Sequence, residues 1–369
     1  MKNSRKFSAA MTMAMLLSLT ACGTADTTTD TASDTSASET TAASVSSAEE
    51  SVQETSAADT TEAETQAQEE ATPAEYAVAS LKGPTTMGMV KLMSDSEKDE
   101  TFNKYSVSIH ATADEIVAGV VSGSTDIANV PANLAAVLHK KTEGSIKVCD
   151  VNTLGVLYVV SSGEAITSIA DLKGKTVYST GKGTTPEYVF NHILRQNGLE
   201  PQTDVMIEYK TEASECAAVM AQSENAVAVL PQPYVTAAQI QNENIKISLS
   251  LTDEWAKVTD TPMITGVTIA QNAAIDENKP AFNTFLDEYQ ASVDFVNSNT
   301  DEAAALIGGY DIIKEPVARK ALPYCNIALL RDSEMISAVK GYWNVLFTAD
   351  PTAVGGAVPD DSAFYTNEG

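Results

Sequence analysis

The sequence predicts an α/β protein folded as two lobes. Three observations lead there. Short apolar runs alternate with helix-like stretches from about residue 76 onward, and such alternation builds a mostly parallel sheet. The series of strands and helices occurs roughly twice, which implies two sheets rather than one. The 369-residue chain leaves room after residue 75 for two domains of ordinary size.

The first elements are not part of that fold. Lys2, Arg5 and Lys6 precede a mostly apolar stretch, Phe7–Leu19. A basic start and a short apolar run read as a secretory signal peptide over residues 1–21. The run is shorter than the ~20 residues needed to span a bilayer. It ends in Leu19-Thr20-Ala21-Cys22-Gly23, which resembles the bacterial lipobox. The resemblance implies cleavage before Cys22 and lipidation of that cysteine with fatty acyl chains such as palmitate. More than one acyl chain gives stable membrane anchoring. Residues 24–75 then hold 13 acidic residues and no basic one, with Val45 and Val52 as the only larger apolar side chains. Such a segment cannot bury enough surface to offset the entropy of ordering. Residues 22–75 are therefore expected to be a lipidated cysteine and a disordered acidic linker.

Nine runs read as strands: Tyr76–Leu81, Thr125–Val130, Ile146–Val151, Val156–Ser161, Thr176–Ser179, Val205–Tyr209, Ala226–Leu230, Ile245–Leu251 and Met263–Ala270. Between them lie helical patterns. Thr112–Ser122 places Ile116, Val117 and Val120 on one face, and Pro131–Lys141 does the same with Leu134, Val137 and Leu138. Pro186–Asn197 stops at Gly198, a suitable residue after a helix end. Ala213–Ser223 and Tyr234–Asn242 are shorter. After residue 280 the pattern reads as all helical: Pro280–Ser298, Asp301–Ile307, Glu315–Leu322 and Asp332–Phe347.

Composition excludes several functions. The chain carries 50 acidic and 23 basic residues, a formal charge of -27. Nucleic acids and anionic membrane surfaces both reward a basic face, so neither is an expected partner. His110, His139 and His192 stand far apart, with no partner at metal-ligand spacing. Cys149 and Cys216 read as small buried apolar side chains, and Cys325 falls in a turn. Nucleotide-binding glycine loops, C-x-x-C and nucleophile-elbow motifs are all missing. No catalytic residue, metal or cofactor is expected.

What remains is a set of similar strand-to-helix turns. They are Lys82-Gly83-Pro84-Thr85-Thr86-Met87-Gly88, Asn129-Val130-Pro131-Ala132-Asn133, Thr180-Gly181-Lys182-Gly183-Thr184-Thr185-Pro186 and Pro231-Gln232-Pro233-Tyr234. Ligands of open α/β sheets sit at the carboxyl ends of strands, and helix N-termini favour acceptor-rich groups. Each hydroxyl also has a simpler use as a helix cap. Lys182 reads as the one cation available, and no arginine is present for a bidentate anion clamp.

The segment "IADLKGKTVYSTGKGTTPEYVFNHILRQNGLEP", residues 169–201, resembles ABC-transporter solute-binding proteins of the nitrate/sulfonate/taurine type, a group that also includes binders of thiamine-precursor pyrimidines. "VAGVVSGSTDIANVPANLAAVL" (117–138) and "VAVLPQPYVTAA" (227–238) resemble two further segments of that family, in order. The resemblance implies a type II periplasmic-binding-protein fold: two α/β lobes joined by two crossover strands, with the ligand cleft between them. Lobe one is expected over 76–160 plus 266–369 and lobe two over 161–265, with crossovers near Val156–Ser161 and Met263–Ala270. It implies ligand contacts at Thr85, Thr86, Asn129, Thr180, Gly183, Thr184, Thr185, Pro231, Tyr234 and Trp255.

The expected function is a monomeric, lipid-anchored extracytoplasmic protein. It would deliver a small polar, anionic or heterocyclic solute to an ABC permease and its ATPase. Two alternatives stand beside it. One is an enzyme on the same fold, similar to pyrimidine-precursor synthases, which needs a histidine, cysteine or carboxylate at the cleft. The other is a sensory lipoprotein presenting its ligand to a receptor.

Overall fold

A computed structural model describes residues 72–367. The expected signal peptide, Cys22 and the linker up to residue 71 lie outside the described residues. The first strand, β1 (Glu75–Leu81), leads into α1 (Pro84–Met87), α2 (Val90–Ser96), β2 (Lys104–His110), α3 (Ala113–Ser122), β3 (Ile127–Pro131), α4 (Ala132–Lys141) and β4 (Ile146–Leu154). The middle of the chain holds β5 (Leu157–Ser162), β6 (Thr176–Ser179), α5 (Thr185–Gln196), β7 (Met206–Tyr209), α6 (Ala213–Gln222), β8 (Ala226–Pro231), α7 (Tyr234–Gln241), β9 (Lys246–Ser250) and α8 (Leu251–Ala256). The last part holds β10 (Ile264–Gln271), α9 (Asn272–Glu277), α10 (Lys279–Ser298), α11 (Thr300–Gly309), α12 (Glu315–Ala321), β11 (Ile327–Leu330) and α13 (Asp332–Ala349).

These strands form two sheets, one per lobe. The first has the order β11-β4-β10-β3-β1-β2 and the second β7-β6-β8-β5-β9. The chain leaves the first sheet between β4 and β5 and returns to it between β9 and β10. The expected mostly parallel arrangement is corrected here: both sheets are mixed. β1 runs parallel to β2 and β3, and β6 runs parallel to β7 and β8. β10 is antiparallel to β3 and β4, and β5 is antiparallel to β8 and β9. The strands flanking the two passages, β4, β5, β9 and β10, all make antiparallel pairs, as does β11 with β4.

Two strands escaped the sequence reading. β2 is a half-exposed edge strand, so its apolar periodicity is diluted by Lys104, Ser106 and Ser108. β11 interrupts the tail that reads as all helical. It is four residues long and its place comes from pairing with β4 at the sheet edge. The expected strand Ile245–Leu251 ends at Ser250, because the Ser250 hydroxyl accepts the Asp253 N–H at 3.2 Å and caps α8.

Helix packing closes the first sheet. α10 buries Phe282, Phe285, Leu286, Tyr289, Val293 and Val296 along one stripe. Ser292 on the same helix accepts the Leu92 N–H at 3.1 Å and donates to Gly88 O at 2.7 Å. Gly88 must be small there, since a Cβ would lie 3.0 Å from Ile327 and 3.1 Å from Val293. α13 buries Tyr342 and Trp343, and the Trp343 indole donates to Ala132 O at 2.8 Å. Burying each large side chain of this kind contributes about 1.5–3 kcal/mol. Cys149, Cys216 and Cys325 are buried free thiols, each pushed up by burial.

Candidate ligand-binding site

The parallel strands bring their carboxyl ends together in each lobe, and the turns that follow them face one another across a cavity of about 330 Å³. Five strand-to-helix turns reach it. Lys82 and Thr85 follow β1, and Thr112 and Asp114 follow β2. From the second lobe, the Thr180–Pro186 turn follows β6, Lys210–Ala213 follows β7, and Pro231 ends β8 with Tyr234 after it at the start of α7. Pro131 closes β3, and Thr265 on β10 lines the same space.

The β6–α5 turn is shaped locally. Gly181 and Gly183 adopt φ of 70° and 77°, a conformation that side chains with a Cβ rarely take. The Thr184 hydroxyl donates to Gly181 O at 2.7 Å, and the Gly183 N–H donates to Glu187 Oε2 at 2.5 Å. Gly183 is expected to offer its N–H to a ligand. It instead ties the helix start to a carboxylate one turn ahead and does not line the cavity. Thr185 opens α5 with Pro186 next, a suitable pair where N–H groups lack intrahelical acceptors. Its hydroxyl reaches Asn133 Oδ1 at 3.5 Å and Thr265 O at 3.4 Å, and the Tyr342 hydroxyl reaches it at 3.5 Å. Thr185 thus bridges the lobes at the cavity floor.

The β1–α1 turn is held from below. The Thr85 hydroxyl donates to Leu81 O at 2.7 Å. Gly266 on β10 leaves room for it, because a Cβ there would lie 2.5 Å from Thr85 Cγ2 and 2.6 Å from Asn152 Oδ1. Thr85, Thr180, Thr184, Thr185, Pro231 and Tyr234 line the cavity, whereas Thr86, Asn129 and Trp255 do not. Thr86 turns inward to Ser80 Oγ at 2.7 Å. Asn129 is fully buried beneath the turn and donates to Thr85 O at 3.0 Å. Trp255 packs between His192 and Tyr342, with ring centroids 5.2 and 5.5 Å away, and its indole donates to Thr261 O at 2.8 Å. An apolar ring on α8 is worth more buried than at a wet cleft.

Lys182 is not the one cation at the cavity. Lys82 and Lys210 line it too, and so do the carboxylates Asp114 and Glu212. Lys82 lies 3.8 Å from Asp311, whose side chain is fully exposed. Lys210 bonds Glu208 at 2.6 Å, which raises its pKa, and lies 5.2 Å above the Tyr178 ring. Lys182 sits 6.0 Å above the Tyr209 ring. Burial and then Glu212 push the Tyr234 hydroxyl up to about 12, so it stays a neutral donor. Thr265 Oγ1 is buried with no hydrogen-bond partner among the described residues. The turns after β2 and β7 were missed in the sequence. β2 lacks a clear strand pattern, while Lys210-Thr211-Glu212 stands between two elements that the sequence predicts, Val205–Tyr209 and Ala213–Ser223. That position was the available signal.

No group of three or more metal-ligating side chains that would hold an ion occurs among the described residues. No described helix is long and apolar enough to cross a membrane.

Residues 120–303 match the model of the NMT1/THI5 like family. No curated protein matches the chain. The fold is that of periplasmic solute-binding proteins of ABC transporters. An ABC transporter structure from Parabacteroides distasonis is 22% identical, with a TM-score of 0.65 over 80% of this chain and 99% of its own. The alkanesulfonate-binding protein SsuA from Xanthomonas axonopodis pv. citri, bound to MOPS, is 12% identical, with a TM-score of 0.64 over 80% and 99%. The periplasmic nitrate-binding protein NrtA from Synechocystis PCC 6803 is 14% identical, with a TM-score of 0.54 over 72% and 75%.

Proposed function

We propose that the protein is the solute-binding lipoprotein of an ABC importer, held outside the cytoplasm by lipid on Cys22. The two lobes, one built on each sheet, close on a small solute that a permease and its ATPase then take up. The observation that carries this reading is the cavity itself. Turns from both lobes line it, at the carboxyl ends of two sets of parallel strands. The likeness of the fold to sulfonate- and nitrate-binding proteins supports it.

The lining suggests the class of solute. Lys82, Lys182 and Lys210 suit an anionic group, and Pro131, Leu157, Pro231 and Tyr234 suit an apolar or flat body. The hydroxyls of Thr85 and Thr184 already donate to carbonyls. Thr265 lines the cavity from the floor, with its own hydroxyl buried and unpartnered among the described residues. Without an arginine fork, the anion is held by point charges rather than by a bidentate pair.

The test is native mass spectrometry of the purified protein, followed by calorimetry with MOPS, taurine, nitrate and a thiamine-precursor pyrimidine. A retained small molecule and saturable one-site binding are expected. Absence of binding to all four and of any retained molecule would overturn the importer reading. The enzyme reading gains one point from the structure, since Asp114 and Glu212 supply carboxylates at the cavity. Conversion of a bound molecule, lost in Asp114→Asn or Glu212→Gln, would favour it. Anchoring is tested apart: Cys22→Ala should release the protein from membranes, and acyl label remaining on that variant would defeat the lipobox reading.

A further inference from the structure

Beneath the β1–α1 turn a row of polar side chains crosses the first sheet. Ser80 on β1 pairs in register with Asn129 on β3, Asn129 with Thr268 on β10, and Thr268 with Asp150 on β4. All four are 0% exposed. At one end of the row Asn129 Nδ2 donates to Thr85 O at 3.0 Å and to Ser80 Oγ at 3.1 Å. At the other end Asp150 Oδ2 has no partner.

The protons of this row do not suffice for every short contact. Thr268 has one hydroxyl proton and, besides the Tyr289 hydroxyl, two short contacts to acceptors: Asn129 Oδ1 at 2.8 Å and Asp150 Oδ1 at 2.6 Å. A hydroxyl donates once. When Asp150 is a carboxylate, the Thr268 proton turns to it, and Asn129 Oδ1 keeps only the Asn152 amide at 3.3 Å. When Asp150 is a neutral acid, its own proton bonds Thr268 Oγ1. The Thr268 proton is then released to Asn129 Oδ1, and the row becomes continuous from Asp150 to Thr85 O. We propose that Asp150 and Thr268 are positioning residues for the cleft: the proton on Asp150 sets the direction of the Thr268 hydroxyl, and through Asn129 how firmly the Thr85 carbonyl is held.

The surroundings of Asp150 favour the neutral acid. Tyr289 from α10 faces it and is itself held neutral by burial, as is Cys149 on its own strand. Arg331, just before α13, acts on it from a distance but is paired with Asp287 at 2.8 Å. Burial therefore prevails over the Thr268 hydrogen bond and Arg331, and pushes the carboxyl up to about 7. The relay lies under the cavity and does not depend on which solute fills it.

The test is hydrogen exchange of the whole protein, free of solute, read by mass spectrometry. The Thr86, Met87 and Met89 amides report on the turn through their bonds to Gly83 O and Thr86 O. Protection there, corrected for intrinsic exchange, should fall roughly fivefold between about pH 5.5 and about pH 8.5, the worth of one neutral hydrogen bond. Asp150→Asn, which stays neutral and keeps a donor, should show no such fall. Thr268→Val should have low protection at both pH values, and Thr268→Ser should behave as wild type. An infrared carboxylic-acid band in the wild type that Asp150→Asn lacks would place the proton. Equal pH profiles for wild type and Asp150→Asn would overturn the proposal. If Asp150→Asn does not fold, unchanged protection in Thr268→Val overturns it equally.

Discussion

The two walls of the cleft are held in different ways. On the first lobe, the turn carrying Lys82 and Thr85 rests on side chains from β1, β3, β4 and β10, distant in sequence and hidden from water. On the second lobe, the turn carrying Lys182 and Thr184 is tied within itself, by Gly181, Gly183, Thr184 and Glu187. The core beneath the second lobe's helices is apolar, with Val160, Cys216, Met220, Leu230 and Val235 packed together. One wall is a tertiary construction and the other is local turn chemistry. A buried network transmits damage, since each lost partner strands another group, whereas a local turn fails alone.

The sharpest way to break this contrast is Asn129→Leu, similar in size but unable to hydrogen-bond. It removes the Asn129 donor from Thr85 O, while Ser80 Oγ keeps the Thr86 hydroxyl and Thr268 keeps Asp150 and the Asn152 amide. An unsatisfied buried group costs about 1–3 kcal/mol, so denaturant unfolding should show a loss in that range. A loss below about 1 kcal/mol would mean the row carries no load.

The pH dependence of stability sharpens the contrast, because the lobes are expected to respond in opposite senses. The Asp150 pKa is raised on folding, so the folded state binds more protons than the unfolded chain. Its contribution is fully present below the ordinary carboxylate pKa and is lost as pH rises through about 7. The loss is on the order of 4 kcal/mol at most. Asp150→Asn should flatten it. His192 on α5 has its pKa lowered, by burial first and then by Arg195, and its Nε2 has no partner. Its contribution is present above pH 6.5 and lost as pH falls through the lowered value, so His192→Phe should remove acid sensitivity. Unfolding of each variant across this pH range checks both signs.

Gly266→Ala comes next in size. Its Cβ would press on Thr85 and Asn152, and overpacking of this kind costs about 1–3 kcal/mol. Affinity for the retained solute should fall more than stability does, since Thr85 is pushed toward the cavity. Calorimetry beside a melting curve separates the two effects. The smallest change is expected for Thr184→Val on the other wall. It loses one neutral hydrogen bond, worth about 0.5–1.5 kcal/mol, and should leave affinity within about threefold. A tenfold loss of affinity would mean that the Thr184 hydroxyl serves the solute rather than the turn.

Much of this protein can be read from local pattern. β1, β5 and β8 are short apolar runs, and α5 ends at a glycine because Gly198 takes φ of 74°. The β6–α5 turn advertises itself through Gly181, Gly183 and two threonines, residues within a few positions of one another. Those interactions span at most one helical turn, so the chain carries them wherever it folds. Asn129 could be placed near the cleft from its turn, but not its role as a support buried under the cleft. That role depends on the register that sets it between Ser80 and Thr268.

The rest was decided only by tertiary structure. Lys210 and Asp114 reach the cavity because β7 and β2 run parallel to their neighbours and end at the same edge. Trp255 leaves the cleft because Ser250 caps a helix that turns its ring toward His192 and Tyr342. The polar row joins residues 80, 129, 150 and 268, and nothing along the chain marks them as partners. Turn chemistry is a matter of neighbours and is written in order. Lateral pairing across a sheet is fixed only when strands far apart in sequence settle into one register, because burying their apolar neighbours leaves the polar side chains no other partners.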